Sequence, residues 1–131
     1  MNRIKVLIAD DHREFRKIIH DFLDRLTNVT VVGEAANGDE AVKNMEQLNP
    51  DVVLMDISMP LMNGLEATRI IKLRWPGTKV LITTNHDDPI YRKQALEARA
   101  DGFILKNSLK PSLEATFGVS HPLTPIPFSS K

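Results

Sequence analysis

The sequence contains no cysteine, a single tryptophan and a single tyrosine. Without cysteine the chain has no disulfide bond, no thiol nucleophile and no thiolate metal ligand. It also lacks excess charge of either sign, because 17 lysines and arginines balance 17 aspartates and glutamates. A neutral chain has no general attraction to nucleic acid or to an anionic membrane. We therefore expect that this chain does not bind DNA by itself.

Long hydrophobic runs are absent as well. The opening segment MNRIKVLIADD places a charge before an apolar run, as a signal peptide does, but the run is short and ends in two aspartates. No apolar segment approaches the ~20 residues that span a bilayer. We expect a soluble, cytoplasmic protein with no membrane contact. The 131 residues, 42% of them hydrophobic, are enough for one compact domain.

Short apolar runs alternate with segments of helical periodicity along the chain. The clearest helical stripe runs from Phe15 to Leu26, and Asp88 followed by Pro89 is typical of a helix start. Strands that are apolar throughout belong to parallel sheets covered by helices on both faces. The pattern therefore predicts an α/β fold with a five-stranded parallel sheet. The predicted strands are residues 4–9, 30–35, 51–55, 79–83 and 102–105, and the helices are residues 15–26, 37–48, 64–75, 87–100 and 108–117.

The last segment of the chain differs from the rest in composition. It reads VSHPLTPIPFSSK and holds Pro122, Pro125 and Pro127, which exclude a regular helix. We therefore divide the chain into one domain, residues 1–118, and a proline-rich tail or linker, residues 119–131.

Polar residues stand at the carboxyl ends of the predicted strands. Asp10 and Asp11 follow the first strand, and Asp56 follows the third. Thr83 ends the fourth strand and Lys106 follows the fifth. In an open parallel sheet, ligands bind at the carboxyl ends, where the strand order reverses. If the order is 2-1-3-4-5, these five residues share one cleft.

Three carboxylates in one cleft repel one another and require a cation. Oxygen ligands with no histidine or cysteine nearby favour a hard ion such as Mg²⁺. With Mg²⁺ and Lys106 the three negative charges are balanced, and the cleft can accept a phosphoryl group. Asp56 is the expected nucleophile, because Asp10 and Asp11 are adjacent and form a metal-binding pair.

Four segments taken together resemble the receiver domain of bacterial two-component response regulators. They are LIADDH, DVVLMDISMPLMNGLEA, VLITT and ADGFILK, and the resemblance covers roughly residues 4–113. It implies a flavodoxin-like topology with the strand order 2-1-3-4-5. Two further segments, VVGEAANGDEAV and NHDD, resemble the subgroup that usually carries a LuxR-type helix-turn-helix output domain.

The resemblance implies a role for each acidic residue. Asp56 would accept a phosphoryl group from a sensor histidine kinase. Asp11 would bind Mg²⁺ directly and Asp10 through water, and the backbone carbonyl of Ser58 would complete the metal shell. Such a domain is a phosphoacceptor switch that catalyses its own phosphorylation and dephosphorylation, and it is not otherwise an enzyme.

The resemblance also implies how the signal leaves the site. Thr83 and Lys106 would contact the phosphoryl group, and Phe103 would swing inward when Thr83 moves toward it. The face made by the fourth helix, the fifth strand and the fifth helix would then change. Output would be control of transcription through a DNA-binding domain absent from this chain, and homodimerisation after phosphorylation is a family expectation.

Two positions depart from the family pattern. Arg99 stands where the family often has glycine, in the turn before the fifth strand. Asn107 follows Lys106 where many relatives have proline, so we expect no cis peptide bond there.

Each candidate residue also has a simpler structural interpretation. Asp10 and Asp11 would serve as an N-cap for the first helix, and His12 would be its exposed start. Thr83 would be an ordinary strand end and Phe103 a core residue. The match of acids and Lys106 to strand ends favours a site instead.

Three other functions remain open from the sequence. An Mg²⁺ phosphatase with an aspartyl nucleophile usually has Asp-x-Asp at its first strand, whereas Asp56 here is followed at the third position by Ser58. A mononucleotide-binding protein needs a phosphate-cradling loop, and ADDHRE would repel phosphate unless a metal intervenes. A receiver that acts only by docking would not need the complete set of acids, threonine and lysine.

Overall fold

A computed structural model describes residues 3–118 of the chain. The tail expected at residues 119–131 lies outside the described residues. Strands and helices alternate throughout the described part, and a short 3-10 turn, Lys106–Ser108, precedes the last helix. The strands are β1 (Ile4–Ala9), β2 (Val29–Ala35), β3 (Val52–Asp56), β4 (Lys79–Thr84) and β5 (Gly102–Leu105). The helices are α1 (Arg13–Asp24), α2 (Gly38–Leu48), α3 (Gly64–Arg74), α4 (Pro89–Glu97) and α5 (Leu109–Phe117).

The five strands form one sheet in the order β2-β1-β3-β4-β5, and each neighbouring pair is parallel. The predicted α/β fold and its flavodoxin-like order are therefore confirmed. The order reverses between β1 and β3, which places the carboxyl ends of these two strands side by side. None of the helices in residues 3–118 is long and apolar enough to span a membrane.

Alternate side chains of each strand enter two separate hydrophobic cores, one on each face of the sheet. The α1–α5 face packs strand residues against the helices α1 and α5, and the α2–α4 face packs the other strand residues against α2, α3 and α4. The α1–α5 face includes Val6, Ile8, Ile19, Leu23, Val52, Leu54, Leu81, Ile104, Leu113 and Phe117. The α2–α4 face includes Leu7, Ala41, Met45, Val53, Met55, Ile71, Val80, Ile82, Ala95 and Phe103.

The same alternation decides where the polar residues at the strand ends lie. Asp56 and Thr83 each stand two residues beyond a strand residue of the α1–α5 core, and so do Asp10 and Lys106. Because residues two apart in a strand share a face, these four positions continue the α1–α5 face to its carboxyl edge. The candidate site therefore lies at that edge, above the α1–α5 core.

Local backbone geometry agrees with the expectations at three positions. The Asp88 side chain caps α4 by accepting a hydrogen bond from the Ile90 N–H at 3.0 Å, and Pro89 is the first helical residue. Arg99 has a φ of 70°, the left-handed conformation that glycine adopts most easily. Residues 3–118 contain no cis peptide bond, which includes the bond before Asn107.

Candidate functional site

The three candidate aspartates meet at the carboxyl edge of the sheet. Asp10, Asp11 and Asp56, together with His12, each place one possible ligand atom within 4.8 Å of the others. Asp10 and Asp56 are only 1% and 4% exposed. The Asp11 side chain is 32% exposed. Two buried carboxylates thus form the floor of the cluster, and Asp11 lies at its opening.

Lys106 supplies the positive charge that the sequence predicted. Its Nζ donates a hydrogen bond to Asp10 Oδ2 at 2.7 Å and lies 3.4 Å from Asp56 Oδ1. The same ammonium lies 4.3 Å from the centroid of the Phe15 ring, a cation–π contact that holds it over the α1–α5 core. The sequence indicated Phe15 only as part of the helical stripe, and no short-range motif links it to Lys106.

The cluster has a local excess of negative charge. The pKa of Asp56 is raised to about 6, chiefly because burial disfavours its charged form and next because of the neighbouring charge of Asp10. Lys106 opposes this rise through its charge and a hydrogen bond. The surroundings of Asp56 therefore disfavour its charged form despite Lys106, and an additional cation would favour the ionised form.

His12 belongs to the cluster, which the sequence reasoning did not foresee. Its Nδ1 atom lies 3.2 Å from Asp11 Oδ1 and 3.3 Å from Asp10 Oδ1. The ring is mostly exposed, and His12 occupies the N-cap position of α1, as its interpretation as an exposed helix start predicted. The expectation that no histidine lies near the acids is wrong. The turn from β1 into α1 brings the ring nitrogen of His12 beside the carboxylates of both Asp10 and Asp11.

Thr83 lies beside Asp56 in the sheet. The two residues are register partners of β3 and β4, so their side chains project from the same face. Thr83 is buried, and its carbonyl oxygen accepts a hydrogen bond from the Ile57 N–H at 3.3 Å. Ser58 follows in the exposed loop. The metal-shell role of its carbonyl stays a prediction.

The loop after β3 is fixed closely against the strand it leaves. Met59 is buried in the α2–α4 core and Met62 packs against the same core. A Cβ atom on Gly64 would overlap the backbone carbonyl oxygen of Asp56, and the Gly64 N–H donates to the Ile57 carbonyl at 2.9 Å. Only glycine allows α3 to begin this close to β3. The packing of the two methionines and the contact at Gly64 together fix the loop that follows Asp56.

Phe103 lies on the opposite face of the sheet from the acids. It is 2% exposed within the α2–α4 core. The Arg92 guanidinium lies 4.6 Å from the centroid of its ring and is paired with Asp87, in the loop after β4, at 3.2 Å. The sequence did not indicate Arg92. The switching role of Phe103 stays a prediction.

Fold and site together define the class of this protein: a flavodoxin-like α/β domain with a candidate cation site where the strand order reverses. The chain belongs to the response regulator receiver domain family, whose model matches residues 6–117.

Known proteins with similar sequences are longer than this chain. It is 43% identical over 105 residues to the transcriptional regulatory protein DegU of Brevibacillus brevis, covering 80% of this chain and 44% of that protein. It is 44% identical over 107 residues to the response regulator protein VraR of Staphylococcus aureus, covering 80% of this chain and 50% of that protein. The chain thus spans about half the length of the curated relatives it matches.

Solved structures agree with the family and its subgroup. A two-component response regulator of the LuxR family from Aurantimonas sp. matches with a TM-score of 0.82 and 31% identity, over 88% of this chain and 82% of that one. The receiver domain of the putative response regulator NarL from Mycobacterium tuberculosis matches with a TM-score of 0.81 and 35% identity, over 85% and 90%. The resemblance to receivers of LuxR-type regulators is therefore confirmed.

Proposed function

We propose that the chain is a phosphoryl-accepting switch and that Asp56 receives the phosphoryl group from a phosphohistidine of a sensor histidine kinase. The observation that carries this proposal is the state of Asp56: a buried carboxylate at the tip of a rigid strand, beside a second buried acid and a single lysine. Such a group is destabilised as an anion by its surroundings. It is fixed in position at the carboxyl edge of the sheet, the side from which a donor would approach.

The transfer needs a nucleophile, a phosphoryl donor and positive groups, including the cation, that balance the charge of the phosphoryl oxygens. An Asp56 carboxylate oxygen attacks phosphorus, the P–N bond to the donor imidazole breaks, and the imidazole nitrogen keeps the electron pair. The product is an acyl phosphate on Asp56. Lys106, whose ammonium lies 3.4 Å from Asp56 Oδ1, would pair with one phosphoryl oxygen, and the Thr83 hydroxyl would donate to another.

The donor set of the site fits Mg²⁺. The buried Asp10 and Asp56 have carboxylate oxygens, the ligands that a hard divalent cation prefers. Burial, and next the charge of Asp10, raise the pKa of Asp56, and a bound cation would offset both effects. When bound, Mg²⁺ supplies charge that offsets the negative oxygens of the phosphoryl group. Asp11 would bind it directly, Asp10 through a water molecule, and Ser58 through its backbone carbonyl.

The output of the switch would pass through the other face of the sheet. Movement of Thr83 toward the phosphoryl group would let the Phe103 ring, which is already buried, repack within the α2–α4 core and alter the surface formed by α4, β5 and α5. In this proposal the domain turns over no separate substrate and catalyses only its own phosphorylation and dephosphorylation. Two relatives are named as transcriptional regulators, and we propose transcriptional output through a DNA-binding domain outside this chain, with homodimerisation after phosphorylation.

Intact mass spectrometry after incubation with Mg²⁺ and acetyl phosphate tests the proposal directly. We expect one phosphoryl adduct, which disappears when Mg²⁺ is chelated and in Asp56→Asn. The matched control is Asp51→Asn, an exposed aspartate before β3, which should keep the adduct. An unmodified chain that never gains the adduct, or one that hydrolyses many phosphomonoesters with turnover, would contradict the proposal.

A further inference from the structure

We infer that His12 is a ligand of the cation site and that its nitrogen makes the site prefer first-row transition-metal ions such as Ni²⁺ to Mg²⁺. The inference rests on the proposed function for the location of the cation. The assignment of the His12 nitrogen as a ligand rests on the geometry of the ring. It assigns a role to a side chain that phosphoryl transfer, as described above, does not use.

The spacing of the ring nitrogen from the acids is that of neighbouring ligands on one ion. Two adjacent ligands of an octahedral ion with bonds of ~2.1 Å are about 3.0 Å apart. His12 Nδ1 lies 3.2 Å from Asp11 Oδ1 and 3.3 Å from Asp10 Oδ1. Movements of a few tenths of an ångström would therefore let one cation contact the nitrogen and Asp11 Oδ1, with Asp10 close enough to join through water.

The backbone of His12 is tied to the acidic cluster. The His12 N–H donates to Asp10 Oδ1 at 2.8 Å, which ties the start of α1 to the floor of the cluster. His12 is the N-cap residue of α1, yet its side chain makes no capping hydrogen bond to that helix. The ring is 69% exposed and has room to turn toward solvent, but its nitrogen faces the carboxylates instead.

An ordinary ion pair is the competing interpretation of these contacts. Charge-assisted N–H···O bonds in proteins are usually about 2.7–2.9 Å long. Both His12 distances are longer than that range but within hydrogen-bonding reach, so a binding measurement has to separate the two interpretations. The two interpretations predict opposite effects of removing the ring. A donor competes with an incoming cation, so its loss would tighten binding, whereas a ligand contributes to binding, so its loss would weaken it.

The kind of ion follows from the chemistry of the donors. Carboxylates, carbonyls and water suit Mg²⁺, whereas an imidazole nitrogen suits nickel, zinc and copper ions. A cluster with one nitrogen and three carboxylates therefore gains affinity for Ni²⁺ through His12, while Mg²⁺ gains little from it. The ring thus sets which divalent ion occupies the site when several are present.

Calorimetric titration of the whole chain with Ni²⁺ and with Mg²⁺ tests the inference. We expect His12→Asn to weaken Ni²⁺ binding about tenfold or more and to change Mg²⁺ binding less than about twofold. His20→Asn is the matched control, because that histidine lies on the same helix but pairs with Glu34 and Asp24. In a separate measurement, electron paramagnetic resonance of bound Cu²⁺ should show nitrogen coupling that His12→Asn removes.

The outcomes separate this inference from the proposed function. Unchanged Ni²⁺ binding in His12→Asn, or tighter Mg²⁺ binding, would overturn the role of His12 while leaving Mg²⁺-dependent phosphorylation of Asp56 intact. Weaker Ni²⁺ binding in His20→Asn alone would place the nickel site elsewhere and overturn it as well. If neither ion binds and no adduct forms on Asp56, the proposed function fails and the inference falls with it.

Discussion

Both ends of the sheet carry aspartates, but the carboxylates at the two ends have different hydrogen-bond partners. At the amino end, Asp101 Oδ2 accepts hydrogen bonds from the Val80 N–H and from Lys72 Nζ, each at 2.8 Å. Asp51 Oδ2 accepts one from the Lys5 N–H at 2.8 Å. At this end each acid caps the start of a strand.

At the carboxyl end the strands themselves offer no such partners to the acids, and the backbone hydrogen bond to Asp10 Oδ1, at 2.8 Å, comes instead from the His12 N–H at the start of α1. Parallel strands present free N–H donors where they begin and free carbonyl oxygens where they end, and a carbonyl cannot donate to a carboxylate. Asp10 and Asp56 share the side chain of Lys106 as their cationic partner, and the pKa of Asp56 is raised, chiefly by burial. The acids at the amino end thus pair with strand N–H groups, whereas those at the carboxyl end form a buried cluster that could hold a cation.

The largest expected effect is a difference in sign between two matched substitutions. Without metal and at neutral pH, Asp101→Asn should lower the free energy of unfolding by about 2 kcal/mol, because it breaks the pair with Lys72. Asp56→Asn should raise it by about 2 kcal/mol, because it removes a charge that the fold disfavours. Urea denaturation in the presence of a chelator measures both.

Two results would break this comparison. Destabilisation by Asp56→Asn would mean that Lys106 already balances the buried acids. A neutral Asp101→Asn would mean that its two hydrogen bonds contribute little to the start of β4. With saturating Mg²⁺, the advantage of Asp56→Asn should shrink, because the ion stabilises the native state of the unmodified chain.

Substitution of two glycines, Gly64 at the carboxyl end of the sheet and Gly77 at the amino end, compares how closely the backbone is packed at each end. Gly64→Ala should lower the free energy of unfolding by about 2–3 kcal/mol, because the new methyl group overlaps the Asp56 carbonyl. Gly77 follows α3 at the amino end, and a Cβ atom there would meet no described atom within 4 Å, so Gly77→Ala should be neutral within about 0.5 kcal/mol. Thermal melting compares the two variants. Equal stability would show that the loop after Asp56 can yield.

The fold class and the positions of the main candidate residues could be predicted from the sequence because they depend on local patterns. Alternating apolar runs placed all five strands, and polar residues directly after those runs placed Asp56 and Lys106 at one edge. The boundaries moved by only a few residues, for example at α4, where the predicted helix 87–100 is Pro89–Glu97. The strand order itself came from the family resemblance, since periodicity does not specify which strands pair.

The contacts that the sequence did not reveal join residues far apart in the chain or depend on side-chain direction. Phe15 and Lys106 lie 91 positions apart by their numbering, and Arg92 reaches Phe103 across the boundary between helix and sheet. His12 is adjacent to the acids, but its ring direction is set by the turn into α1. Such features require packing in three dimensions, which short motifs do not encode.

The titration of Asp56 should make the stability of the protein depend on pH. The pKa of Asp56 is about 6 in the folded state against an ordinary value of 3.8, so between these values the folded state binds more protons than the unfolded state. The free energy of unfolding contributed by this group therefore falls as pH rises from about 4 to about 6, by about 2 kcal/mol without metal.

The difference between the unmodified chain and Asp56→Asn isolates this contribution. Glu34 acts in the opposite direction, because a hydrogen bond from His20 lowers its pKa and its stabilising effect is lost as pH falls through that lowered value. Subtracting the two unfolding curves cancels Glu34, which both proteins share. A difference that does not change with pH would mean that Asp56 is ionised as readily when folded as when unfolded.

The smallest expected effect concerns Arg99, in the turn before β5 at the amino end of the sheet. Its φ of 70° is left-handed, a conformation that is strained for a residue with a long side chain. Arg99→Gly should raise the free energy of unfolding by about 0.5–1 kcal/mol, because relief of the strain exceeds the added flexibility of the unfolded chain. Asn49 is the matched control: it has a φ of 48° and belongs to a residue type that tolerates this conformation, so Asn49→Gly should gain less. Denaturation measures both, and neither should change the yield of phosphoryl adduct, because both turns lie at the end of the sheet away from Asp56. An equal gain at the two positions would show that the Arg99 side chain carries no special strain, and a loss at Arg99 would show that its side chain stabilises the turn.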